Sequence, residues 1–305
     1  MKFFVTGVNG QLGHDVVNEI AKRGMEAVGS DITESYSGMQ DGSAVCGMPY
    51  QKLDITDAEE VMNVLRSERP EVMIHCAAYT AVDAAEENEA LCRKVNAEGT
   101  RNIAAACKEL DIKMIYISTD YVFDGTGERP WEPEDKQAPV SVYGQTKYEG
   151  ELAVQELLEK YFIVRIAWVF GINGKNFVKT MLKLSENHDT LRVVNDQFGS
   201  PTYTYDLAKL LIDMALTEKY GVYHATNEGI CSWYDFACAI FKTAGIPMNV
   251  QPVSTAEYGA RAKRPANSRM SKEKLSKNGF ERLPAWQDAL ERYLSILERT
   301  KEGEA

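Results

Sequence analysis

At 305 residues, with 44% hydrophobic and 26% charged side chains, the chain has an ordinary globular balance and the length of two lobes or of one large α/β unit. A formal charge of −11 makes it a poor binder of nucleic acid or of an anionic membrane, and no apolar run reaches the ~20 residues of a membrane span. The opening stretch, Met1 to Gly7, is broken by glycine too early for a secretory signal, so the expected compartment is the cytoplasm.

In chain order, residues 2–6 form a short apolar run that predicts a strand, followed by a helix over 11–23 and a strand over 26–30. Residues 31–49, rich in Gly, Ser and Asp, predict a long loop. A short strand ends near Asp54, and Thr56 or Asp57 is a suitable cap for a helix over 58–67. A strand over 72–76, a long helix over 85–110, a strand over 113–118, a helix over 142–159 and a strand over 162–167 follow. This alternation predicts a Rossmann-type doubly wound parallel sheet over residues 1–168. Beyond Trp168 the segments are shorter and more aromatic. They predict a smaller mixed C-terminal substrate lobe over 169–305, with some segments returning to the first domain. Its helices are expected near 177–186, 204–216, 233–244 and 285–300, and its last residues, 301–305, are expected to fray. The six cysteines form no C-x-x-C pair and read as reduced core thiols, and the four histidines lack ligand spacing, so no metal site is expected.

The first chemical signal is Gly7-Val8-Asn9-Gly10-Gln11-Leu12-Gly13, a G-x-x-G-x-x-G between the first strand and the first helix. Glycines there permit a tight turn and close backbone approach to a pyrophosphate at a helix N-terminus. Asp31 follows Gly13 by 18 residues and ends the second strand, where a carboxylate accepts hydrogen bonds from an adenosine ribose and repels a 2′-phosphate. Asp54, with Leu53 beside it, is a candidate for the adenine, although Asp54 serves equally as a helix cap. Ala77, Ala78 and Tyr79 follow the fourth strand, at the sheet end where ligands bind.

The second signal is Tyr143-x-x-x-Lys147 at the start of a predicted helix. Residues four apart share a helix face, and a nearby ammonium is expected to lower the phenol pKa from about 10 and make Tyr143 a usable acid or base. Ser118-Thr119-Asp120 ends the fifth strand, where a hydroxyl can donate to a substrate carbonyl or cap the following turn.

Together these motifs resemble the extended short-chain dehydrogenase/reductase superfamily and, within it, the dTDP-4-dehydrorhamnose reductases. Further matching stretches are Ala81–Glu86, Ser118–Gly125, Arg165–Phe170, Asn195–Thr202 and Arg264–Ser268, in the family's order over nearly the whole chain. The resemblance implies NADH- or NADPH-dependent reduction of the C4 ketone of a dTDP-linked 4-keto sugar to dTDP-L-rhamnose. It implies Tyr143 as the proton donor, Lys147 on the nicotinamide ribose and Thr119 near the reacting carbonyl. Asp120 and Trp168 would line the sugar pocket, unless Trp168 is plain core, and Asn176 and Arg264, with Gln197 and Asn267, serve either to bind the dTDP phosphates or thymine or, equally, as loop packing and caps. The sister dehydratases carry Thr-Asp-Glu where this chain has Thr119-Asp120-Tyr121, which disfavours dehydration. Two other readings stay open: a non-catalytic nucleotide-binding regulatory subunit on the same fold, and a reductase of another nucleotide-linked 4-keto sugar. A homodimer also stays open.

Overall fold

The computed structural model describes residues 1–259 and 261–303. Its centre is a seven-stranded sheet built from β1 (Lys2–Thr6), β2 (Glu26–Asp31), β3 (Tyr50–Lys52), β4 (Val72–His75), β5 (Lys113–Thr119), β6 (Tyr161–Ile166) and the late strand β11 (Gly221–His224). The order is β3-β2-β1-β4-β5-β6-β11, and every pairing is parallel. Parallel strands need a crossover between neighbours, and the helices that supply it cover both sheet faces. Strand interiors are accordingly apolar on both sides, with Phe3, Phe4 and Val5 of β1 fully buried.

Helices α1 (Gln11–Lys22), the short α2 (Ala44–Gly47), α3 (Ala58–Glu68), α4 (Val82–Ala85), α5 (Glu89–Arg93), α6 (Thr100–Glu109) and α7 (Val142–Leu157) belong to the first half. The second half supplies α8 (Phe177–Leu184), α9 (Thr204–Ala215), α10 (Trp233–Thr243), α11 (Thr255–Tyr258), α12 (Glu273–Lys277) and α13 (Trp286–Gly303). One sheet face is packed by Val16 and Ile20 of α1 with Leu207 and Leu211 of α9. The other is packed by Val61 and Leu65 of α3, Ile103 of α6 and Val154 of α7. A third core joins α8, α10 and α13 through Val178, Phe236, Ile240 and Leu290. Around it stand three two-stranded pairs: β7 (Val169–Phe170) with β10 (Thr202–Tyr203), β8 (Thr190–Val194) with β13 (Asn249–Val253), and β9 (Phe198–Gly199) with β12 (Cys231–Ser232). Among the described residues no helix is long and apolar enough to cross a membrane.

The long helix expected over 85–110 is instead broken into α4, α5, a π-helical turn (Lys94–Gly99) and α6. Asn88 leaves helical geometry at φ −125°, ψ 44°. Within the π turn, Asn96 bonds the backbone N–H and carbonyl of Tyr79 and also donates to Thr146, competing with a regular helix. Residues 204–215 and 221–224 return to the first half as α9 and β11, and α13 continues through Gly303. Residues 304–305 of the tail expected to fray lie outside the described residues.

Helix α1 is tied to α9 by a buried polar bond, Thr204 Oγ1 donating to Asp15 Oδ2 at 2.5 Å. Burial pushes the Asp15 carboxyl up to about 7, with Asp41 and Asp206 adding repulsion. An unfolded aspartate titrates near ~3.9, so the folded state binds this proton more tightly. The resulting penalty on stability is absent below about pH 4, grows as pH rises, and is complete above about pH 7. Asp15→Asn is therefore expected to raise the unfolding free energy at pH 8 by up to about 4 kcal/mol, and by much less at pH 5. Urea unfolding at the two pH values measures the difference.

Candidate active site

The carboxyl ends of the parallel strands open into a cleft of about 850 Å³. At one end lies the turn between β1 and α1. Gly7 has φ +73°, a conformation that favours glycine. A Cβ on Gly7 would lie 2.6 Å from the Ala77 backbone nitrogen, and one on Gly13 would lie 2.4 Å from the Gly7 carbonyl oxygen. Backbone therefore packs directly on backbone, and no side chain caps the first turn of α1. Gly7, Gly10, Gln11, Leu12 and Gly13 all border the cleft.

Asp31 stands at the tip of β2, where its carboxylate accepts from the Asn9 N–H at 3.1 Å and the Ile32 N–H at 2.8 Å. It thus steadies the glycine turn while facing the cleft. The cation nearest it in the ladder is Lys52, in register on β3, whose ammonium is paired with Glu34. Leu53 and Asp54 border the same region. Asp57, not Asp54, caps α3, accepting from the N–H groups of Glu59 and Glu60 at 3.0 Å. Asp54 shapes the preceding turn by accepting from the Thr56 N–H and hydroxyl at 2.9 and 2.8 Å. Ala77, Ala78 and Tyr79 form the floor between the two ends of the cleft.

The other end gathers Thr119, Asp120, Tyr143, Lys147 and Trp168. Ser141 caps α7 and sets its start, with Oγ accepting from the Gly144 N–H at 3.1 Å. A Cβ on Gly144 would meet the Tyr121 carbonyl oxygen at 2.2 Å, so α7 lies directly on the turn after β5. That contact places Tyr143 and Thr119 together in the cleft wall. Thr119 also donates to Asp120 at 2.9 Å and accepts from the Tyr121 N–H at 3.2 Å, so it caps its turn and faces the cleft at once. Asp120 is buried and accepts a short bond from the Ser268 hydroxyl. Burial pushes its carboxyl up to about 6, against the pull of the Ser268 and Thr119 bonds. Ser118, next along β5, also borders the cleft and spends its hydroxyl on Glu151 at 2.6 Å.

Lys147 is buried, with its ammonium 4.1 Å from the centre of the Tyr116 ring. Burial pulls it down to about 7, opposed chiefly by Glu151. The Tyr143 phenol pKa is raised, not lowered as its four-residue spacing from Lys147 predicts. Burial pushes the phenol well above its ordinary range, and Asp120 and Tyr121 push it further. Tyr143 is thereby held as a neutral phenol, a state suited to giving up a proton to a developing alkoxide.

Trp168 takes φ +51°, rare for a side chain of its size, and its ring stacks on Trp233 at 3.8 Å and 15°. The remaining candidates lie outside the cleft lining. Asn176 is a buried helix cap, accepting from the Lys179 N–H and donating to Gln11 and to the Gly171 carbonyl at 3.0, 3.0 and 2.9 Å, so its amide is already spent. Arg264 pairs with Asp83 at 2.6 Å, close enough to Tyr121 to act on its phenol. Gln197 donates to Thr255, and Asn267 to the carbonyls of Thr126 and Arg129, both as loop ties. Two residues that sequence reasoning missed come from the return of the second half. Asn173 donates to the carbonyls of Asn9 and Gly10 at 2.9 and 3.2 Å, clamping the glycine turn, and Lys175 borders the cleft beside it. No local signal marks either residue, because each faces the turn only once residues 171–175 fold across it.

The sequence matches the family described as RmlD substrate binding domain over residues 1–299. It is 38% identical to the dTDP-4-dehydrorhamnose reductase of Aggregatibacter actinomycetemcomitans, with 95% of this chain and 97% of that one covered. Among solved structures, a dTDP-4-dehydrorhamnose reductase from Clostridium acetobutylicum superposes with a TM-score of 0.89 at 41% identity, covering 98% of this chain and 100% of its own. The Bacillus anthracis enzyme of the same name, solved in complex with NADP, gives 0.88 at 40% identity, covering 97% and 99%.

Because Gly13 has no room for a methyl group, Gly13→Ala is expected to weaken dinucleotide binding by about ten- to a hundredfold. Titration of bound NADH fluorescence measures it; unchanged affinity in a folded variant contradicts the packing argument.

Proposed function

The chain belongs to the RmlD substrate binding domain family, and from that premise we propose that it reduces the C4 ketone of dTDP-4-dehydro-6-deoxy-L-mannose to dTDP-L-rhamnose with NADH or NADPH. The observation that carries this reading is the convergence of Tyr143, Thr119 and Lys147 at one end of a cleft whose other end is the glycine turn.

The chain's residues fit a dinucleotide, since the turn admits backbone approach only where Cβ atoms are missing. Gly7, Gly10, Gln11, Leu12 and Gly13 would hold the pyrophosphate, Asp31 the adenosine ribose, and Leu53 and Asp54 the adenine. The floor of Ala77, Ala78 and Tyr79 would lie along the middle, and Tyr143 and Lys147 would take the nicotinamide ribose. When bound, the coenzyme supplies the hydride. Tyr143 donates its proton to the C4 oxygen as that oxygen gains charge, and Lys147 stabilises the phenolate left behind. Thr119 hydrogen-bonds the sugar beside the carbonyl and fixes its approach. Asp120 and Trp168 line the sugar pocket, and Arg264 offers the rim a cation for the nucleotide phosphates. Asn176, spent on its cap, has no part in this assignment. At the position where a dehydratase needs a carboxylate stands Tyr121, whose phenol burial pushes up, so reduction is favoured over elimination.

We place the coenzyme with residues 1–168 and the returning segments α9 and β11, and the nucleotide sugar with the rest of the second half. The six free cysteines suit a reducing compartment, which supports a cytoplasmic enzyme, as a monomer or a homodimer.

The direct test is loss of nicotinamide absorbance with the dTDP-4-keto sugar; coenzyme binding without turnover would favour the regulatory-subunit reading. Tyr143→Phe is expected to lower kcat by ~100-fold or more while leaving coenzyme affinity nearly intact. A variant that retains a tenth of the rate refutes Tyr143 as the acid. With Lys52 paired to Glu34, the Asp31 carboxylate is available to the adenosine ribose hydroxyls, which favours NADH over a coenzyme carrying a 2′-phosphate. Asp31→Ala is accordingly expected to weaken NADH more than NADPH. Equal losses in the two Kd values would contradict that role.

A further inference from the structure

Beneath the catalytic end lies a fully enclosed ion pair. Glu151 on α7 and Arg165 on β6 are each 1% exposed. Arg165 Nε and Nη2 donate to the two carboxylate oxygens of Glu151 at 2.8 and 2.7 Å. Ser118 Oγ donates to the same carboxylate at 2.6 Å. Ser118 and Arg165 are direct partners in the β5–β6 ladder, so one carboxylate is gripped from two neighbouring strands. Arg165 is further held by the Pro133 carbonyl at 3.0 Å, and the Phe123 ring centre is 5.1 Å from its guanidinium.

The position of this grip matters for the site above it. Glu151 lies one helical turn beyond Lys147 and two beyond Tyr143 on α7, while Ser118 adjoins Thr119 at the end of β5. The three groups assigned to the reaction therefore ride on the two elements that the carboxylate joins. We propose that Glu151 is a positioning residue for the reduction: clamped by Arg165 and Ser118, it fixes α7 against the ends of β5 and β6 and sets a negative charge one helical turn from the Lys147 ammonium. The inference rests on the reading of Tyr143, Lys147 and Thr119 as the reacting set.

The remaining groups around Lys147 offer it little counter-charge. On the β4 side, burial takes His75 down to about 3 and the Cys76 thiol up to about 12, so both are neutral. The Cys92 thiol on α5 and the phenols of Tyr116 on β5 and Tyr143 on α7 are likewise pushed up by burial. Glu151 is the foremost influence raising Lys147 against its own burial. A pair whose only task was to stabilise the fold would gain little from its burial, since desolvation of two ions offsets much of their attraction.

The test is the pH profile of kcat/KM for the keto sugar at saturating coenzyme. Glu151→Gln is expected to move the alkaline limb to lower pH by about one unit, a loss of about tenfold on that limb, because Lys147 then gives up its proton more readily. Glu151→Asp, which keeps the charge, is expected to restore the limb. Should Arg165 left unpaired unfold the single variant, Glu151→Gln with Arg165→Met removes both charges together and should move the limb in the same direction by a smaller amount. A limb unmoved in either folded variant overturns the proposal, and so does a double variant that cannot fold, which would assign the pair to stability alone. Lys147→Met, measured alongside, separates the two levels: if it keeps full turnover, the reading of the site fails, whereas its inactivity beside an unmoved Glu151→Gln limb sinks only the role of Glu151.

Discussion

The approach of Gly13 to the carbonyl of Gly7, and of Gly7 to the backbone at Cys76 and Ala77, leaves no space for a single added carbon. Three pieces of backbone from β1, α1 and the end of β4 are thereby locked in contact, and the axis of α1 is set relative to the sheet. The end of the cleft around the glycine turn takes its position from this. Asp31 reaches the turn through the Asn9 N–H, and Asn173 reaches it from the second half through the carbonyls of Asn9 and Gly10. A loosened turn would thus disturb both the floor for a dinucleotide and the seam between the halves.

The opposite end of the cleft works by exclusion of water. Thr119, Asp120 and Lys147 are buried, and Tyr143 is only partly open to the cleft. Desolvation pushes the phenol and the Asp120 carboxyl up and the ammonium down, so each group is held nearer its neutral form than it would be in water. For a ketone reduction the bias on the phenol is coherent, since its proton stays on until a developing alkoxide takes it, while Glu151 opposes the loss of charge that burial imposes on Lys147. Ser268 extends the arrangement, since its bond to Asp120 ties the second half to the reacting end.

Much of this was legible along the chain, where the evidence is local. The glycine spacing, the carboxylate at the tip of β2 and the four-residue offset of Tyr143 and Lys147 all depend on neighbours within one strand–turn–helix unit. The apolar runs of β1, β4, β5 and β6 stand out because strands covered on both faces must be apolar throughout. The break between residues 85 and 110 was not legible, because the pull on Asn96 comes from Tyr79 and Thr146, distant in sequence. Arg264 and Asn176 likewise carry no local mark of what they touch: one meets Asp83, the other Gln11 and Tyr293.

The kind of chemistry was written in residue type and spacing, since a phenol and an ammonium one helical turn apart after a dinucleotide turn have few other uses. The electrostatic state of that chemistry was not. Proximity of Lys147 suggested a lowered Tyr143 pKa, yet the folded protein raises it, because burial depends on how many atoms surround the ring and not on which residue stands four positions away. The same holds for the seventh strand, β11, and for the pairing of Glu151 with Arg165. β11 comes from a segment remote in sequence, and Glu151 meets Arg165 across the short turn between α7 and β6, yet both partners are chosen only when the sheet closes and the helices cover it.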